Sequence, residues 1–406
     1  MKKYLMQEVA PGVLLTIVAV ASAFLFDVVR FIYPVTKFVD YSINYIPMVF
    51  LLIVLLADKN TILNLPRVFV ALFFGFSLAL TTIMTNFIEV RSWLFIMPLS
   101  VIIWFVILPE STIDKDDIKF LLRIILYIAF LYCAANAVIH YDKMFSFWLS
   151  MDPYKNNIQG VYFNKNMWGQ LMLPLLFFNM LYINICSEKE VKSYALFGIL
   201  VYTLLASLSR AAILAFAIFF ILNLFLLMEK RHLKRLLVVV SLLTLVMLGL
   251  WLLPSLHHFW TDYFFRSHDI LTFRDKLWAM AWSYVPGMPI WGYGLGSEMR
   301  LISAHGIYLG AFHNTYIDWY MQGGPVFLCS NFLIWGLGFY QICKLYRIEK
   351  HQGAVFLAAF IAMSIYCNVE YIPLYTITMP NVLFCLFFLA LPRLLFRLTR
   401  NDIMGT

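Results

Sequence analysis

The stretch LTFRDKLWAMAWSYVPGMPIWGYGLGSEMRLISAHGIYLGAFHNTYIDWYMQGGP, residues 271–325, gathers arginines, histidines, carboxylates and glycines between strongly hydrophobic runs. A hydrocarbon bilayer tolerates few such groups, so a membrane protein places them in loops or in water-facing cavities. The chain on either side consists mostly of apolar runs of helical length. The stretch therefore predicts a polar loop set into a membrane bundle, and a functional site is expected there.

The composition excludes an ordinary soluble domain. Of the 406 residues, 63% are hydrophobic and 13% are charged, and the mean hydropathy is +0.82. A spanning helix needs about 20 apolar residues, and about twelve such segments fit along the chain. A β-barrel would instead show weaker, alternating segments of about 10 residues. We predict an all-α polytopic membrane protein with about twelve transmembrane helices, forming one integral membrane domain over residues 1–406.

Apolar windows between charged residues define the predicted spans. They lie near residues 10–29, 41–57, 68–88, 92–108, 118–139, 168–186, 194–209, 211–228, 236–254, 324–343, 353–369 and 375–396. The connecting segments hold basic clusters on one predicted side: Lys2/Lys3, Lys59/Arg67, Lys115, Lys189/Lys192, Lys230/Arg231/Lys234/Arg235, Arg347/Lys350 and Arg393/Arg397/Arg400. Because cytoplasmic loops are enriched in Lys and Arg, both termini are predicted to be cytoplasmic.

This topology leaves two long segments on the outer, periplasmic side, residues 140–167 and 255–323. The second carries Arg266, Arg274, Lys276 and Arg300 against the charge bias of the topology rule. These basic residues either have a task beyond orientation or simply solvate a long loop. The net charge of +8 follows from the cytoplasmic clusters, so no nucleic-acid partner is expected. No cysteine or histidine shows metal-ligand spacing, and no metal or other cofactor is predicted.

Arg210 follows Ser209 between two apolar spans that have almost no loop between them. An unpaired guanidinium is costly inside a membrane. The planar cation suits a diphosphate, which it can grip through paired hydrogen bonds. The alternative is an interfacial arginine that extends its head group into water.

Arg274 opens RDKLWAMAWSYV, whose apolar residues recur at helical spacing. This pattern, with two tryptophans, predicts an amphipathic helix lying on the membrane surface. The glycine turn GYGLG, residues 292–296, follows Pro286 and Pro289. It lacks the Lys-Ser/Thr of a P-loop, so nucleotide binding is a poor interpretation.

His313 and Asn314 precede the break Gly323-Gly324-Pro325 that opens a predicted span. A histidine can accept a proton from an attacking hydroxyl near neutral pH, whereas an arginine cannot. Other histidines in the loop compete for this role, namely His257, His258 and His305. The acidic candidates are Asp269, Asp275, Glu298, Asp318 and Glu370. The acidic group at 114–117 is interpreted as a helix cap.

Taken together, four patches resemble the O-antigen ligase and polymerase superfamily of bacterial surface-polysaccharide enzymes. They are GVYFNKNMWGQ (160–170), SRAA (209–212), the pair LTFRDKLW (271–278) and PIWGYGLGS (289–297), and HNTYIDWYMQGG (313–324). Their order and their placement on one predicted face carry the resemblance, which spans about residues 155–330.

The resemblance implies a GT-C-like, metal-independent, inverting transferase of the bacterial inner membrane, with its active site facing the periplasm. Its donor would be an undecaprenyl-diphosphate-linked glycan, and its acceptor a glycan or the lipid A-core of lipopolysaccharide. Arg210 and Arg274 would bind the diphosphate and His313 would activate the acceptor hydroxyl. Asn166 and Asn314 would also bind substrate, and Arg266 and Arg300 are reserve candidates for the same role. A chain-length regulator protein is a further possible partner.

Two features separate the subclasses. Phe327 stands where the ligases carry a small residue or tyrosine, and the Phe-Asn-Lys-Asn patch at 163–166 is more similar to polymerases. These features favour a Wzy-type polymerase over a WaaL-type ligase. A flippase or transporter is a further alternative, but charged residues are scarce within the predicted spans, whereas transporters place them there.

Overall fold

A computed structural model describes residues 10–32, 49–50, 52–53, 63–83, 101–144, 160–162, 164–186, 190–228, 273–307, 310–373 and 378–405. Helices dominate these ranges and no strand occurs in them, which confirms the all-α prediction. The helices are α1 (Pro11–Ile32), α2 (Leu65–Ile83), α3 (Lys115–Ile139), α4 (Lys165–Ile185), α5 (Val191–Ser207), α6 (Arg210–Leu227), α7 (Arg274–Tyr284), α8 (Ser297–Ser303), α9 (Thr315–Ile348), α10 (Lys350–Tyr366), α11 (Met379–Cys385) and α12 (Leu391–Gly405).

Six helical segments in the described ranges are long and apolar enough to cross a membrane. They are α2, α3, α4, α6, α9 and the continuous run Met379–Met404, in which a π-helical turn joins α11 to α12. The segment Pro11–Leu25 of α1 and the helix α5 are shorter apolar helices. The predicted span 236–254 lies outside the described residues, and 41–57 and 92–108 are described only in part. The count of twelve and the GT-C-like arrangement therefore stay predictions.

Two helices form the centre of the bundle. Helix α9 packs against α2, α10 and α12, while helix α4 packs against α3, α5, α6 and α10. Aromatic side chains that are fully buried fill this core, among them Trp168 on α4 and Trp319 on α9. The patches at 160–170 and 313–324 lie at the starts of these central helices. Their polar residues are thus held at the starts of helices that each pack against several others.

The start of α3 confirms the predicted cap. The Asp114 side chain accepts a hydrogen bond from the Asp117 backbone N–H, and the Asp117 side chain accepts one from the Asp114 N–H. This reciprocal pair satisfies donors that the first turn of a helix leaves without partners. The acidic group at 114–117 therefore has a structural explanation.

A backbone break divides α9 where the sequence predicted the start of a span. Gly324 has φ 63° and ψ −166°, a conformation open almost only to glycine. The glycine turn packs directly on this break, since a Cβ on Gly292 would lie 2.5 Å from the Gly324 nitrogen. Tyr293 N donates to Met321 O at 2.9 Å, and Gly294 N donates to Gln322 O at 2.8 Å. The break and the turn thus fix the loop to the bundle through backbone atoms.

The loop has a small hydrophobic core of its own. Leu277 and Ala281 of α7 are buried there with four residues from later segments, Leu301, Ile302, Phe312 and Met321. Trp278 Nε1 donates to Phe312 O at 3.1 Å. The apolar face predicted to lie on the membrane surface is therefore used, at least in part, for packing inside the loop.

A buried ion cluster joins the segment before α3 to α12. Arg393 Nε lies 3.0 Å from Glu110 Oε1, and Arg397 Nη1 lies 3.7 Å from Glu110 Oε2. We call Glu110, Arg393 and Arg397 the Glu110 cluster. The expectation that Arg67 lies in a loop is wrong, because it is the third residue of α2 and is only 2% exposed. Its Nη1 donates to Phe105 O at 2.7 Å, which makes this burial tolerable.

Candidate functional site

Glu370 lies between the two predicted catalytic residues Arg274 and His313. Its Oε1 is 2.6 Å from Arg274 Nη2, and its Oε2 is 3.3 Å from His313 Nδ1. The side chains are 8% (Glu370), 14% (Arg274) and 26% (His313) exposed. We call these three residues the Glu370 cluster. Two predicted site residues that are distant in sequence thus share one carboxylate, and the histidine is the most accessible of the three.

The segment after α10 is joined to the start of α9, and this fixes the Glu370 backbone. Thr315 N donates to Cys367 O at 2.8 Å, and Thr315 Oγ1 donates to Glu370 O at 2.7 Å. Asn314 Nδ2 donates to Asn368 O at 3.0 Å. The Asn314 Oδ1 accepts from two backbone N–H groups in the first turn of α9. Asn314 is therefore a helix cap that also holds this segment, and its predicted contact with substrate stays a prediction.

His313 is held in a left-handed backbone conformation, with φ 54°. The buried Asp318 carboxylate accepts hydrogen bonds from both neighbours, Phe312 N at 2.9 Å and Asn314 N at 3.4 Å. These bonds turn the backbone on each side of the histidine toward the protein. The imidazole is thereby left at the partly exposed surface of the cluster.

Backbone strain coincides with all three predicted catalytic residues. Among the described residues, the non-glycine residues with positive φ are Leu208 (55°), Phe273 (69°) and His313. Phe273 directly precedes Arg274, and Leu208 lies two residues before Arg210. Such conformations cost about 1–3 kcal/mol each and are found often at functional sites.

Arg274 is the first residue of α7 and is anchored by more than its ion pair. Its Nε donates to Val369 O at 2.8 Å. The next turn buries Leu277 in the loop core. The guanidinium is therefore oriented by one backbone acceptor and one carboxylate, while the helix behind it is fixed by packing.

Arg210 begins α6 beside the start of α4. Ser209 Oγ donates to Asn166 Oδ1 at 3.3 Å, and a Cβ on Gly169 would lie only 2.7 Å from the Ala212 Cβ. The two helix starts are thus in close contact. The half-buried Arg210 also lies within electrostatic reach of Lys165. This second group places two cations and the predicted residue Asn166 together.

A glutamine connects the two groups. Gln170, one turn beyond Asn166 on α4, donates from Nε2 to the carbonyl of Tyr371 at 3.4 Å. Tyr371 directly follows Glu370 in the chain. The Arg210 group and the Glu370 cluster are therefore linked through the first turns of α4. The reserve candidates differ from them, since Arg300 is exposed on α8 and Arg266 lies outside the described residues.

A second buried carboxyl group, that of Glu298, connects the loop to the helix α9. Gln322 Nε2 donates to Glu298 Oε1 at 2.8 Å and to Tyr371 Oη at 3.0 Å. Burial, followed by the negative charge of Asp318, raises the pKa of Glu298 to about 8. A carboxyl of this kind is largely protonated at neutral pH. It serves as a neutral hydrogen-bonding group between α8 and the break in α9.

Sequence patterns alone did not place Glu370 within the site. It was one of five acidic candidates, and only its place at the outer end of a predicted span set it apart. Lys165 stood within a recognised patch, but no role followed from that patch. Both residues gain significance from tertiary contacts, with Glu370 meeting residues from two distant segments.

The arrangement can bind an anion and move a proton. Guanidinium groups suit phosphate oxygens, and an imidazole beside a carboxylate can accept a proton and be stabilised as a cation. Within the described ranges, no three His, Cys, Asp or Glu side chains come together as metal ligands would. The predicted independence from metal stays a prediction.

The comparison with known families agrees with these motifs. Residues 195–329 match the family model Wzy_C, described as O-antigen ligase. The match covers about a third of the chain, including Arg210, Arg274 and His313 but neither Lys165 nor Glu370. No curated protein matches the chain. The family match and the apolar helices support a membrane protein of the O-antigen ligase/polymerase superfamily, with a polymerase or ligase role in surface-polysaccharide synthesis.

Proposed function

We propose that this protein is an inner-membrane glycosyltransferase that moves a glycan from an undecaprenyl-diphosphate-linked donor to a sugar hydroxyl, most simply as a polymerase. The observation that carries the proposal is the shared carboxylate, because Glu370 brings the guanidinium of Arg274 and the imidazole of His313 to one place. An anion-binding cation and a proton acceptor are the two groups that such a transfer needs.

The proposed reaction exchanges one bond at the donor's anomeric carbon. The acceptor oxygen attacks this carbon, its proton passes to His313, and the bond to the diphosphate breaks with inversion. The electron pair leaves on the diphosphate, whose charge Arg274 and Arg210 stabilise. Because a diphosphate is already a good leaving group, the arginines can supply this stabilisation without a metal or a general acid.

Two observations bear on whether the protein is a polymerase or a ligase. The Phe-Asn-Lys-Asn patch favours a polymerase, whereas the description of the matching family model favours a ligase. Phe327 is weaker evidence for a polymerase than the sequence suggested. It is buried, and its ring packs on Phe74 with 5.8 Å between the ring centroids. Packing explains its size. A ligase that joins the glycan to lipid A-core is therefore the second candidate.

Topology completes the proposal. Both termini are placed in the cytoplasm, and residues 140–167 and 255–323 on the periplasmic side, because this arrangement keeps the basic clusters inside. The donor, a glycan or lipid A-core acceptor and the surrounding lipid would all meet at the Glu370 cluster. A chain-length regulator would bind elsewhere on the same enzyme.

Substitutions at the three predicted catalytic residues test the site. Arg210→Ala, Arg274→Ala and His313→Ala should each reduce glycan transfer by about 100-fold or more, as does the loss of a group that stabilises transition-state charge or moves a proton. Membrane insertion should be unchanged. Arg347→Ala, at an exposed arginine in the last turn of α9, is the matched control. Full activity in both arginine variants would remove them from the site.

Deletion of the gene, read on a lipopolysaccharide gel, separates the functions. A single repeat attached to lipid A-core identifies a polymerase, while unattached, lipid-linked polymer identifies a ligase. Loss of both, with precursor accumulating on the cytoplasmic face, identifies a flippase instead.

A further inference from the structure

We propose that Glu370 is a positioning residue that changes partner during the reaction, passing from Arg274 to His313 when a lipid-linked diphosphate binds. This inference rests on the proposed function and concerns the same site. Donor binding would then prepare the histidine that receives the acceptor proton.

The starting point is the close contact between Glu370 and Arg274. Their 2.6 Å ion pair is largely buried, so the carboxylate occupies part of the surface that an incoming phosphate would use. A diphosphate carries more charge than one carboxylate and can also use a bidentate contact. It would therefore compete successfully for Arg274 and release Oε1 of Glu370.

The released carboxylate already faces a second partner. His313 Nδ1 lies 3.3 Å from Oε2, longer than an ordinary charge-assisted hydrogen bond of about 2.7–2.9 Å. Once Arg274 no longer holds Oε1, rotation of the side chain can shorten this bond. A buried carboxylate needs such a partner, because losing one cation without gaining another is costly.

This contact would also set the histidine tautomer. An ionised carboxylate only accepts hydrogen bonds, so Nδ1 must carry the proton in that bond. In the neutral imidazole, Nε2 is then the basic nitrogen. It makes no hydrogen bond to the described part of the chain. The Glu370 carboxylate can thus present Nε2 to an acceptor hydroxyl and stabilise the imidazolium that forms.

The exchange needs side-chain motion alone. The Glu370 carbonyl accepts from Thr315 Oγ1, and the neighbouring Asn368 carbonyl accepts from Asn314 Nδ2. These bonds hold the backbone while the carboxylate turns. During transfer, the proton moves from the acceptor oxygen to Nε2, the glycosidic bond to the diphosphate breaks, and the diphosphate keeps its electron pair beside Arg274. Water then takes the proton from the imidazolium.

The test compares binding with turnover in Glu370→Gln. The probe is undecaprenyl diphosphate without sugar, titrated against the full-length protein in nanodiscs. Because glutamine does not neutralise Arg274, the variant should bind the probe about 5-fold or more tightly. Its turnover at saturating donor should fall about 100-fold, since the histidine loses its carboxylate. A purely structural role would instead weaken both properties.

Three further variants keep the test decisive. Glu370→Asp keeps the charge and should lie between wild type and Glu370→Gln in both measurements, so it serves if the glutamine variant does not fold. In an Arg274→Ala background, Glu370→Gln should leave probe affinity unchanged. Glu110→Gln, which removes a comparable carboxylate from the other cluster, should leave the affinity of the folded protein unchanged.

The outcomes separate this inference from the proposed function. If wild type binds the probe and transfers glycan, but Glu370→Gln binds no more tightly or turns over at the wild-type rate, the exchange is wrong. If wild type neither binds the probe nor transfers glycan, the proposed function itself fails.

Discussion

The Glu110 and Glu370 clusters look alike in burial and differ in partners. The two carboxylate side chains are 7% and 8% exposed, and each meets two basic residues. Glu110 pairs with two arginines one turn apart on α12, so neither basic partner in that cluster can accept a proton. Glu370 pairs with an arginine and a histidine from separate segments. A buried ion pair alone therefore does not identify a reactive site, because structural ion networks have the same appearance. The histidine beside the Arg274–Glu370 pair is the feature that makes the Glu370 cluster the candidate site.

The largest effect is expected from a substitution that disturbs the backbone on the side of the Glu370 cluster alone. Gly324→Ala should destabilise the protein by about 3 kcal/mol, since its conformation is strained for any other residue. The new Cβ would also lie 2.1 Å from Ile290 O. Gly336→Ala is the control, because nothing lies within 4 Å of its Cβ position. Unfolding in detergent and transfer assays should both separate the two variants, and equal stability would contradict this account.

Loss of the Glu110 carboxylate is expected to have the second-largest effect, on stability alone. Glu110→Gln should lower stability by about 2–3 kcal/mol, less than the loss of a fully buried pair, because Arg393 and Arg397 stay 19% and 31% exposed. Transfer per folded molecule should not change. Loss of transfer at unchanged stability would show that this cluster also takes part in the chemistry.

A third buried carboxyl group, that of Glu298, extends the comparison, because it accepts a hydrogen bond from the amide of Gln322. The pKa of Glu298 is raised above its ordinary value of 4.5 to about 8. Since the folded protein holds this proton more tightly, the resulting stability is complete below about pH 4.5 and is lost as the pH rises through about 8. Unfolding midpoints measured across this range should fall in wild type. The part of this pH dependence that comes from the Glu298 carboxyl should vanish in Glu298→Gln. An unchanged pH dependence of the unfolding midpoint would refute the raised pKa of Glu298.

The smallest expected effect is at Arg300. This arginine is exposed and belongs to neither cluster. Arg300→Ala should change stability by no more than about 0.5 kcal/mol, as is usual for surface substitutions. Transfer assays at saturating donor should stay within about 2-fold of wild type. A large loss of transfer would return Arg300 to the list of substrate-binding residues.

Local patterns predicted much of this architecture. Apolar runs indicated the described spans, the acidic group at 114–117 indicated a cap, and Gly323-Gly324-Pro325 indicated the break. Each of these features depends on neighbours within a few residues. The three motif residues were also found from short patches, although their shared function rests on the resemblance and on the proposal.

Long-range contacts explain what the sequence did not predict. Glu370 stands in a segment with no motif. Its importance comes from the hydrogen bond that its carbonyl accepts from Thr315 and from the contacts of its carboxylate with Arg274 and His313. The burial of Arg67 depends on a carbonyl from another segment. The loop core likewise requires α7, α8 and the start of α9 to meet. Periodicity in a single segment contains none of this information.

The contact between the glycine turn and the helix break has a consequence for protein engineering. Two backbone hydrogen bonds and two glycines form this joint, and the hydrogen bond between Glu298 and Gln322 adds a side-chain contact beside it. A loop from another enzyme that keeps both glycines, the carboxyl group at position 298 and the arginine at position 274 should therefore dock onto this bundle in the same way. Acceptor preference could then be exchanged between enzymes while the bundle, with Glu370 and Arg210, stays the same.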